Sequence, residues 1–276
     1  MSTAKQSRLI TLLTDFGHTD PFVGTMKGVI LGINPSAVIV DLTHEVSPMD
    51  ILQGAFLLGT AWHHFPAGTI HIAVVDPGVG TQRRVLAVEA HDHTFLVPDN
   101  GLLSFILPND AIANSPFQPY LQDVPNSCSA TVLTETKFWN NPISSTFHGR
   151  DIFAPVAGYL ALGEPRETMG NPVKSVTQLA LPASRWLSDS LSGYVIHIDR
   201  FGNIVTTVSA ASVENKRISI HINGQAIAEL TKTYGSGHGL VAHIGSHGYI
   251  EIAMANLNAA EFLKARVGDK VLVRKT

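Results

Sequence analysis

The first part of the chain alternates short apolar runs with segments that begin like helices. Apolar runs at residues 9–13, 38–41 and 70–75 have the length and composition of buried strands. The segments between them open with Asp20-Pro21 and with Ser47-Pro48, which are signals typical of a helix N-terminus. This strand-helix-strand-helix-strand order predicts a parallel α/β sheet.

The two helix starts predict where the chain turns. Asp20 and Ser47 are the expected caps, each followed by a proline, whose missing amide N–H has no partner in the first turn of a helix anyway. The first helix carries glycines on one face, and each costs roughly 1 kcal/mol of helix propensity relative to alanine. We expect close packing of the backbone on that face, against the sheet or a ligand, to compensate. These glycines are Gly24, Gly28 and Gly32.

The rest of the first half contains a predicted hairpin and a further helix. Runs at 85–89 and 94–97 are joined through a short polar turn and predict paired strands. Residues 108–141 show no pattern that places an element. The apolar segment 152–162 predicts a helix that ends at a glycine, and residues 164–190, with several prolines and no periodicity, predict a linker.

Beyond residue 191 the pattern changes to short β-type runs at close intervals, which predict a small barrel or sandwich of mostly antiparallel strands. The expected fold is therefore a Rossmann-like α/β domain with a mostly parallel sheet, residues 1–188, followed by a smaller all-β, barrel-like domain, residues 189–276. The predicted strands are residues 194–198, 204–208, 218–222, 239–244, 249–253 and 270–273.

Composition excludes several classes of partner. A net charge of −3 gives no electrostatic argument for nucleic acid or an anionic membrane. The single cysteine, Cys128, rules out an intramolecular disulfide and fits a reducing compartment. No apolar stretch reaches membrane-spanning length, and the polar start lacks the apolar core of a signal peptide. We expect a cytoplasmic protein with no membrane and no nucleic-acid partner.

One stretch carries the strongest chemical signal. The third strand delivers Asp76 at its C-terminal end, a loop rich in proline and glycine follows, and Arg83 and Arg84 come next. Ligands of open α/β sheets bind beyond the carboxyl ends of the strands. An Asp-Pro-Gly turn with a surface salt bridge explains the stretch equally well. Three more polar stretches lie at residues 14–17, 147–151 and 199–203. Each of them taken singly can be explained as an ordinary turn or helix start, but four such stretches in one chain favour a functional site.

Other chemistries lack a complete signature. The chain has 13 histidines, but His63-His64 and His91 with His93 have no evident third ligand, so we expect no metal site. There is no G-x-G-x-x-G or Walker loop and no G-x-S-x-G nucleophile elbow.

Motifs in both predicted domains, taken in order, resemble the S-adenosyl-L-methionine (SAM) hydroxide adenosyltransferases, or SAM hydrolases. This family shares its fold with the SAM-dependent fluorinase and chlorinase. The similarity runs from about residue 9 to about 273 and is weakest over 108–141. The segments that carry it are residues 14–17, 26–30, 41–44, 75–80, 98–101, 147–155 and 201–203.

The resemblance implies cleavage of SAM by water to adenosine and L-methionine, with no metal or cofactor. It places a triad that holds the nucleophilic water on Asp76, Arg83 and His148. It also implies a homotrimer, with each site between one subunit's first domain and a neighbour's second. The implied substrate contacts are Asp15 for the ribose, with Phe16 beside it, Asp199 and Ser246 for the methionine end, and Phe201, Asn203, Met254 and Asn256 for the adenine.

These residue types suit the implied reaction. SAM is a sulfonium cation, so attack by hydroxide at C5′ neutralises charge, and a dry pocket favours such a step. Arg83 can stabilise a developing hydroxide, and His148 and Asp76 can orient the water and take its proton. The resembling halogenases carry Tyr and Thr in place of Asp76 and Arg83 and lack the histidine. A non-catalytic SAM or adenosine sensor, which could dispense with the triad, is the other alternative.

Overall fold

The computed structural model describes residues 9–109, 116–182, 185–234 and 239–276. The chain divides into two compact units, and each has its own hydrophobic core. The first unit comprises Met1–Asp110 and Pro119–Leu179, and the second comprises Ala111–Gln118 and Ala180–Thr276.

The first unit is built on a mixed sheet. In the described part of the chain its strands follow the order β2-β1-β3-β5-β4-β7-β8, with β6 and β9 paired separately. The pairs β2-β1, β1-β3 and β3-β5 are parallel, and β5-β4, β4-β7 and β7-β8 are antiparallel. The predicted parallel core and the predicted hairpin are confirmed. The strands are β1 (Leu9–Thr14), β2 (Val38–Thr43), β3 (Ile70–Val74), β4 (Val85–Ala90), β5 (His93–Pro98), β6 (Pro119–Asp123), β7 (Ser129–Leu133), β8 (Gly170–Val173) and β9 (Ser175–Leu179).

Helices cover both faces of this sheet. Helices α1 (Phe22–Ile33) and α3 (Ala154–Leu162) pack on one face, and α2 (Ile51–Ala61) packs on the other. Because side chains alternate along a strand, Leu12 of β1 packs on the face of the sheet that α1 and α3 cover, and Leu13 packs on the face that α2 covers. Short 3₁₀ turns at Trp62–His64, Thr136–Phe138 and Arg166–Met169, and a π-helical turn at Gly149–Phe153, complete the unit.

The predicted helix caps are wrong, by one residue at α1 and by three at α2. Helix α1 begins after Pro21 and has no side-chain cap. Helix α2 is capped by Asp50, whose carboxylate accepts from the Gln53 amide at 2.9 Å. The physical reason at α2 is Met49, whose φ of 66° turns the chain between the proline and the helix and delays the first helical turn.

The packing against the sheet that was predicted for the glycine face of α1 is also wrong. A Cβ atom added at Gly24, Gly28 or Gly32 would meet nothing within 4 Å in the described residues. These glycines lie on the outer side of α1, while Val23, Met26 and Ile30 face the sheet. The face that was expected to pack closely is therefore the exposed one.

The predicted linker over residues 164–190 is wrong in its first half. Residues 170–179 form β8 and β9, and β6 and β7 occupy part of the segment without a pattern. Strand β8 lies at the edge of the sheet and contains Pro172. An edge strand tolerates proline because its outer side needs no amide donor, so prolines here do not indicate a linker.

The second unit is a barrel-like antiparallel sheet, as predicted. Its strands follow the order β14-β13-β17-β11-β12-β16-β15 in the described residues, and β10 pairs with β11. The elements are β10 (Trp186–Leu187), β11 (Ser190–Ile198), β12 (Ile204–Ser209), α4 (Ala210–Val213), β13 (Ile218–Ile222), β14 (Gln225–Ile227), β15 (Leu240–Ile244), β16 (Tyr249–Met254), α5 (Ala259–Leu263) and β17 (Lys270–Lys275). Across the residues that the structure describes, no helix is long and apolar enough to cross a membrane.

Candidate active site

The loop between β3 and β4 joins Asp76 to Arg83. Arg83 Nε donates to Asp76 Oδ1 at 2.9 Å and to Oδ2 at 2.8 Å, and Nη2 also donates to Oδ2. The side chains are 4% exposed for Asp76 and 10% for Arg83. A bidentate pair of this kind fixes the plane of the guanidinium group as well as its position. The sequence alone kept a surface salt bridge as an alternative, but the Asp76–Arg83 salt bridge is buried.

Gly80 brings this loop against the segment that precedes His148. Its φ is +76°, in the left-handed region, and a Cβ atom there would lie 2.2 Å from the Ser145 carbonyl oxygen. Only glycine allows both the conformation and this close approach. The loop that carries Asp76 and Arg83 is thus held beside the segment that carries the histidine.

His148 completes the predicted triad. It lies just before the π-helical turn, a feature that is frequent at functional sites. Its Nδ1 lies 2.8 Å from Arg83 Nη2. A guanidinium group only donates, so Nδ1 accepts and the ring proton is on Nε2. The structure therefore brings the side chains of Asp76, Arg83 and His148 together.

The π-helical turn is stabilised by its own carboxylate. Asp151 is 1% exposed and accepts from the Ser144 amide at 2.8 Å and from Arg150 Nε at 2.7 Å. Gly149, next to the histidine, lets the turn approach Met26 and Phe16, because a Cβ there would lie 3.1 Å from the sulfur and 3.4 Å from the ring. These contacts set the position of His148.

The electrostatics of the triad keep the histidine neutral. Burial lowers the pKa of His148 below its usual value, and the positive charge of Arg83 lowers it further. The carboxylates of Asp76 and Asp151 oppose this shift but do not reverse it. In its neutral form His148 can accept the Arg83 N–H and still present its own Nε2–H.

One donor of the triad has no acceptor. Arg83 Nη1 is buried and has no hydrogen-bond partner among the described residues. Buried donors are almost always paired, since leaving one unpaired costs about 1–3 kcal/mol. The guanidinium group therefore keeps N–H donors that no atom of the described residues accepts.

A cleft of about 350 Å³ opens beside the triad. Asp15 and Phe16 line it, as predicted, and Asp15 Oδ2 accepts from the Met49 amide at 2.9 Å. Phe16, Phe22 and Phe147 form an edge-to-face cluster with ring centroids 5.2–5.9 Å apart. The side chains that line the cleft are apolar apart from the two carboxylates, the histidine and Thr146. Its lining residues are Asp15, Phe16, Phe22, Met49, Val74, Asp76, Pro77, Val79, Thr146, Phe147, His148 and Gly149.

A second cleft, of about 560 Å³, lies in the second unit. Five predicted substrate-binding residues line it together. Its lining residues are Asp199, Phe201, Asn203, Tyr234, Met254, Ala255, Asn256, Leu257 and Asn258. The Phe201 ring is 77% exposed, whereas Asn203 is 8% exposed.

Asp199 organises the turn that carries Phe201 and Asn203. Its Oδ1 accepts from the Phe201 amide at 2.8 Å and from the Asn203 amide at 2.9 Å. Its Oδ2 accepts from Asn203 Nδ2 at 2.9 Å. This carboxylate therefore fixes the turn and the Asn203 side chain.

Ser246 is not brought to this cleft. It is exposed in the turn between β15 and β16, and the cleft is lined at the other end of that hairpin, by Met254. Within the second unit, the structure thus separates Ser246 from the other predicted residues.

Sequence reasoning missed several lining side chains. Phe22 lies between the 14–17 and 26–30 motifs, and Phe147 begins the 147–155 motif but was given no contact. Their aromatic character near polar motif residues was the available signal. Tyr234 donates to Glu251 Oε1 at 2.6 Å, and this contact with the carboxylate raises the pKa of Tyr234 to about 12. No motif or periodicity surrounds Tyr234, so nothing in the sequence indicated it.

No group of three or more His, Cys, Asp or Glu side chains within the described ranges is placed to hold a metal ion. The histidines considered for such a site have other contacts. His91 stacks on Trp62 with ring centroids 5.0 Å apart, and His93 Nδ1 lies 3.0 Å from Nε2 of the buried His71.

Comparison with known proteins places this geometry in a family. The model of the SAM hydroxide adenosyltransferase N-terminal domain matches residues 10–170, and the model of the C-terminal domain of the same name matches residues 193–272. The chain belongs to the SAM hydroxide adenosyltransferase family. The resemblance inferred from the sequence motifs is confirmed.

Relatives match over nearly the whole chain. The (R)-S-adenosyl-L-methionine hydrolase of Salinispora tropica is 36% identical over 96% of this chain and 97% of its own length. The enzyme of the same name from Thermus thermophilus is 35% identical, over 96% and 98%. An uncharacterized conserved protein from Thermotoga maritima has a similar crystal structure, with a TM-score of 0.84 and 30% identity over 96% and 99% of the two chains. Fluorinases are more distant relatives, at 23–26% identity.

Proposed function

We propose that this protein is an enzyme that hydrolyses SAM to adenosine and L-methionine without a metal or cofactor. The observation that carries the proposal is the buried Asp76–Arg83–His148 triad, in which Arg83 Nη1 has no partner among the described residues while Asp76 and His148 line a mostly apolar cleft. The names of the relatives in the same family support the substrate.

In the proposed reaction, a water oxygen attacks C5′ of the ribose in line with the departing sulfur. The new O–C5′ bond forms as the C5′–S bond breaks, and the sulfonium leaves as the neutral thioether of methionine. Arg83 Nη1–H and His148 Nε2–H are donors that favour a hydroxide-like oxygen at this position. Since His148 Nδ1 is occupied by Arg83, Asp76 is the group of the triad that can take the proton.

The surroundings fit a sulfonium substrate. Attack by a hydroxide-like oxygen on a cation neutralises charge, so an apolar, water-poor cleft lowers the barrier relative to bulk water. Holding the oxygen in line removes a further orientational cost. Asp15 suits the two ribose hydroxyls, since one carboxylate can accept from both.

The second cleft supplies the remaining contacts of the proposal. Asn203 offers both a donor and an acceptor to an adenine edge, and Phe201 offers an exposed ring. Met254 and Asn256 complete the adenine side, and Asp199 and Ser246 are assigned to the methionine end. We also propose a cytoplasmic homotrimer in which a neighbouring copy contributes the second cleft.

Product analysis tests the function. Purified protein is incubated with SAM after EDTA treatment, in chloride-free buffer and with added chloride, and products are separated by chromatography. We expect adenosine and methionine in equal amounts and at equal rates in all conditions. Absence of both products would remove the proposal, and 5′-chloro-5′-deoxyadenosine formed only with chloride would make the protein a halogenase.

A further inference from the structure

A short turn holds two of the residues assigned to the substrate. Residues 14–17, here called the 14–17 turn, follow β1 and present Asp15 and Phe16 to the first cleft. The triad does not fix this turn. The Met49 amide holds the Asp15 side chain, and the hydrogen bonds at both ends of the turn involve one residue outside the cleft lining, His44, which is 1% exposed.

His44 contacts both ends of the 14–17 turn. Its ring Nδ1 lies 2.8 Å from Thr14 Oγ1, and its backbone oxygen accepts from the Gly17 amide at 2.8 Å. Between them, the Phe16 amide donates to Thr14 Oγ1 at 3.2 Å. Asp15 therefore lies between Thr14 and Gly17, both of which are hydrogen-bonded to His44.

The direction of these hydrogen bonds follows from the partners. Thr14 Oγ1 accepts from the Phe16 amide, so its own O–H can donate to His44 Nδ1. The ring proton is then on Nε2, which lies 3.1 Å from Asp41 Oδ1. Asp41 Oδ2 in turn accepts from Lys27 Nζ of α1 at 2.6 Å. The result is a chain of contacts from α1 through β2 to the 14–17 turn.

The charges around His44 keep this arrangement. Burial lowers the pKa of His44, and the Asp41 carboxylate opposes the shift without cancelling it. Lys27 and His18, the other titratable groups that act on the ring, both lower it further. Burial alone would raise the pKa of Asp41, but the hydrogen bonds from Lys27 and His44 lower it overall. A neutral ring beside an ionised carboxylate is the state that accepts from Thr14.

We propose that His44 is a positioning residue that holds the 14–17 turn so that Asp15 can bind the ribose hydroxyls of the substrate. This inference rests on the proposed function for the role of Asp15, and on the contacts of His44 alone for the order of the turn. In this proposal the 41–44 segment affects the affinity for the substrate through Thr14, although it does not contact the substrate.

The chain offers a matched control on the same strand. Thr11 Oγ1 lies 2.7 Å from Nδ1 of the buried His71, a second Thr–His pair of β1 and β3. Neither residue lines the first cleft or contacts the 14–17 turn among the contacts of the described residues. Thr11→Val and Thr14→Val therefore remove the same hydroxyl from equally buried sites, and only the second touches the turn.

The test compares these variants with two substitutions of His44. His44→Asn places an amide at the Nδ1 position and keeps the Thr14 contact, whereas His44→Gln places it at the Nε2 position and keeps only the Asp41 contact. We expect Thr14→Val and His44→Gln to raise the KM for SAM and the Kd for adenosine about tenfold, with a smaller change in kcat, as for a lost positioning hydrogen bond. Thr14→Ser, His44→Asn and Thr11→Val should stay within about threefold of the wild type.

Amide hydrogen exchange of Phe16 and Gly17 gives a second readout that does not depend on turnover. Thr14→Val and His44→Gln should speed their exchange about tenfold or more, and Thr11→Val should not. Equal effects of Thr14→Val and Thr11→Val on KM and on exchange would overturn the inference, as would a His44→Gln variant that matches His44→Asn. If the wild type has no SAM turnover, the proposed function fails, and the exchange data still decide whether His44 orders the turn.

Discussion

Arg83 makes two kinds of contact with one side chain. Its Nε and Nη2 are bonded to Asp76 and His148, while Nη1 is free of any partner in the described residues. The first set fixes the guanidinium, and in the proposed reaction Nη1 donates to the attacking oxygen. This division explains why a neighbouring arginine in the same loop cannot substitute for it. Arg84 is paired with Asp99 and donates to the Ser175 carbonyl oxygen.

Replacing Arg83 therefore separates catalysis from binding. We expect Arg83→Ala to lower kcat by about 10²–10³-fold, the usual effect of removing one donor that stabilises an oxyanion, while the Kd for SAM changes little. Steady-state kinetics and calorimetric titration with SAM measure the two quantities. Arg84→Ala is the matched control, since it removes the same charge from the same loop and should cost stability without a comparable loss of kcat. Unchanged turnover in Arg83→Ala would show that the arginine is structural.

The lowered pKa of His148 predicts the acid side of the pH profile. Protonation puts a hydrogen on Nδ1, so the ring can no longer accept from Arg83 and two positive charges face each other. Because burial and Arg83 lower the pKa of His148 below the usual 6.5, activity should be retained as pH falls through 6.5 and lost only at more acidic pH. A kcat/KM profile at constant ionic strength measures this, with circular dichroism at each pH to exclude unfolding. A midpoint above 6.5 would contradict the assignment.

For single residues, the sequence was sufficient to predict which side chains form the triad but not the directions of their hydrogen bonds. Asp76, Arg83 and His148 stand in recognisable motifs, so their proximity could be predicted. That His148 accepts through Nδ1 depends on which face of the ring Arg83 approaches, and this is a property of the folded loop. Tyr234 could not be predicted, because its partner Glu251 lies on a strand that shows only an ordinary β pattern.

Among the elements, the loop from β3 to β4 is the one whose backbone conformation the site depends on. Gly80 has a positive φ and lies against the Ser145 carbonyl oxygen, so it couples the loop to the segment before His148. Strands buried on both faces, such as β3, were predicted closely because a short continuous apolar run is typical of a fully buried strand. The edge strands β8 and β9 were not predicted. A strand that is paired on one side only tolerates proline and polar residues, and its sequence then resembles a linker.

Gly80→Ala should separate the two halves of the triad. A left-handed conformation alone costs a non-glycine residue about 1–2 kcal/mol, and here a Cβ would also overlap a carbonyl oxygen. We expect Gly80→Ala to lower the unfolding free energy by more than the cost of the left-handed conformation alone. We also expect at least about a tenfold loss of kcat, since a shift of about 1 Å at the site has such effects. Urea denaturation and steady-state kinetics measure both.

Gly224→Ala is the control for this change. Gly224 has a φ of 79°, and a Cβ there would meet nothing within 4 Å in the described residues. It therefore carries the backbone strain without the overlap and should leave turnover unchanged. If Gly80→Ala and Gly224→Ala lose equal stability and neither affects kcat, the contact with Ser145 does not position the triad.

In the whole molecule, the chemistry is divided between the two units. Asp15, Asp76 and His148 line a cleft of the first unit, and Phe201 and Asn203 line a cleft of the second. In the proposed reaction the first cleft holds the attacking water and the second holds the adenine. The resemblance implied that site residues lie in both domains, and the hydrophobic pattern, which changes from α/β to short β runs, predicted only the two domains. It could not show which copy of the chain supplies which cleft, since single-chain periodicity contains no information about neighbours.

The proposed homotrimer can be tested by complementation. Arg83→Ala disables the first cleft and Asn203→Ala disables the second. If each site combines clefts of two neighbouring subunits, co-expressed chains in equal amounts form some sites in which both clefts are intact, roughly a quarter of the total for random assembly of a heterologous ring. We expect the purified mixed assembly to recover about that fraction of wild-type kcat/KM, and light scattering to give three times the chain mass. Co-expression of Arg83→Ala with Asp76→Asn, both in the first cleft, is the control and should recover nothing. Equal, negligible activity in both mixtures would place the two clefts of a site in the same chain.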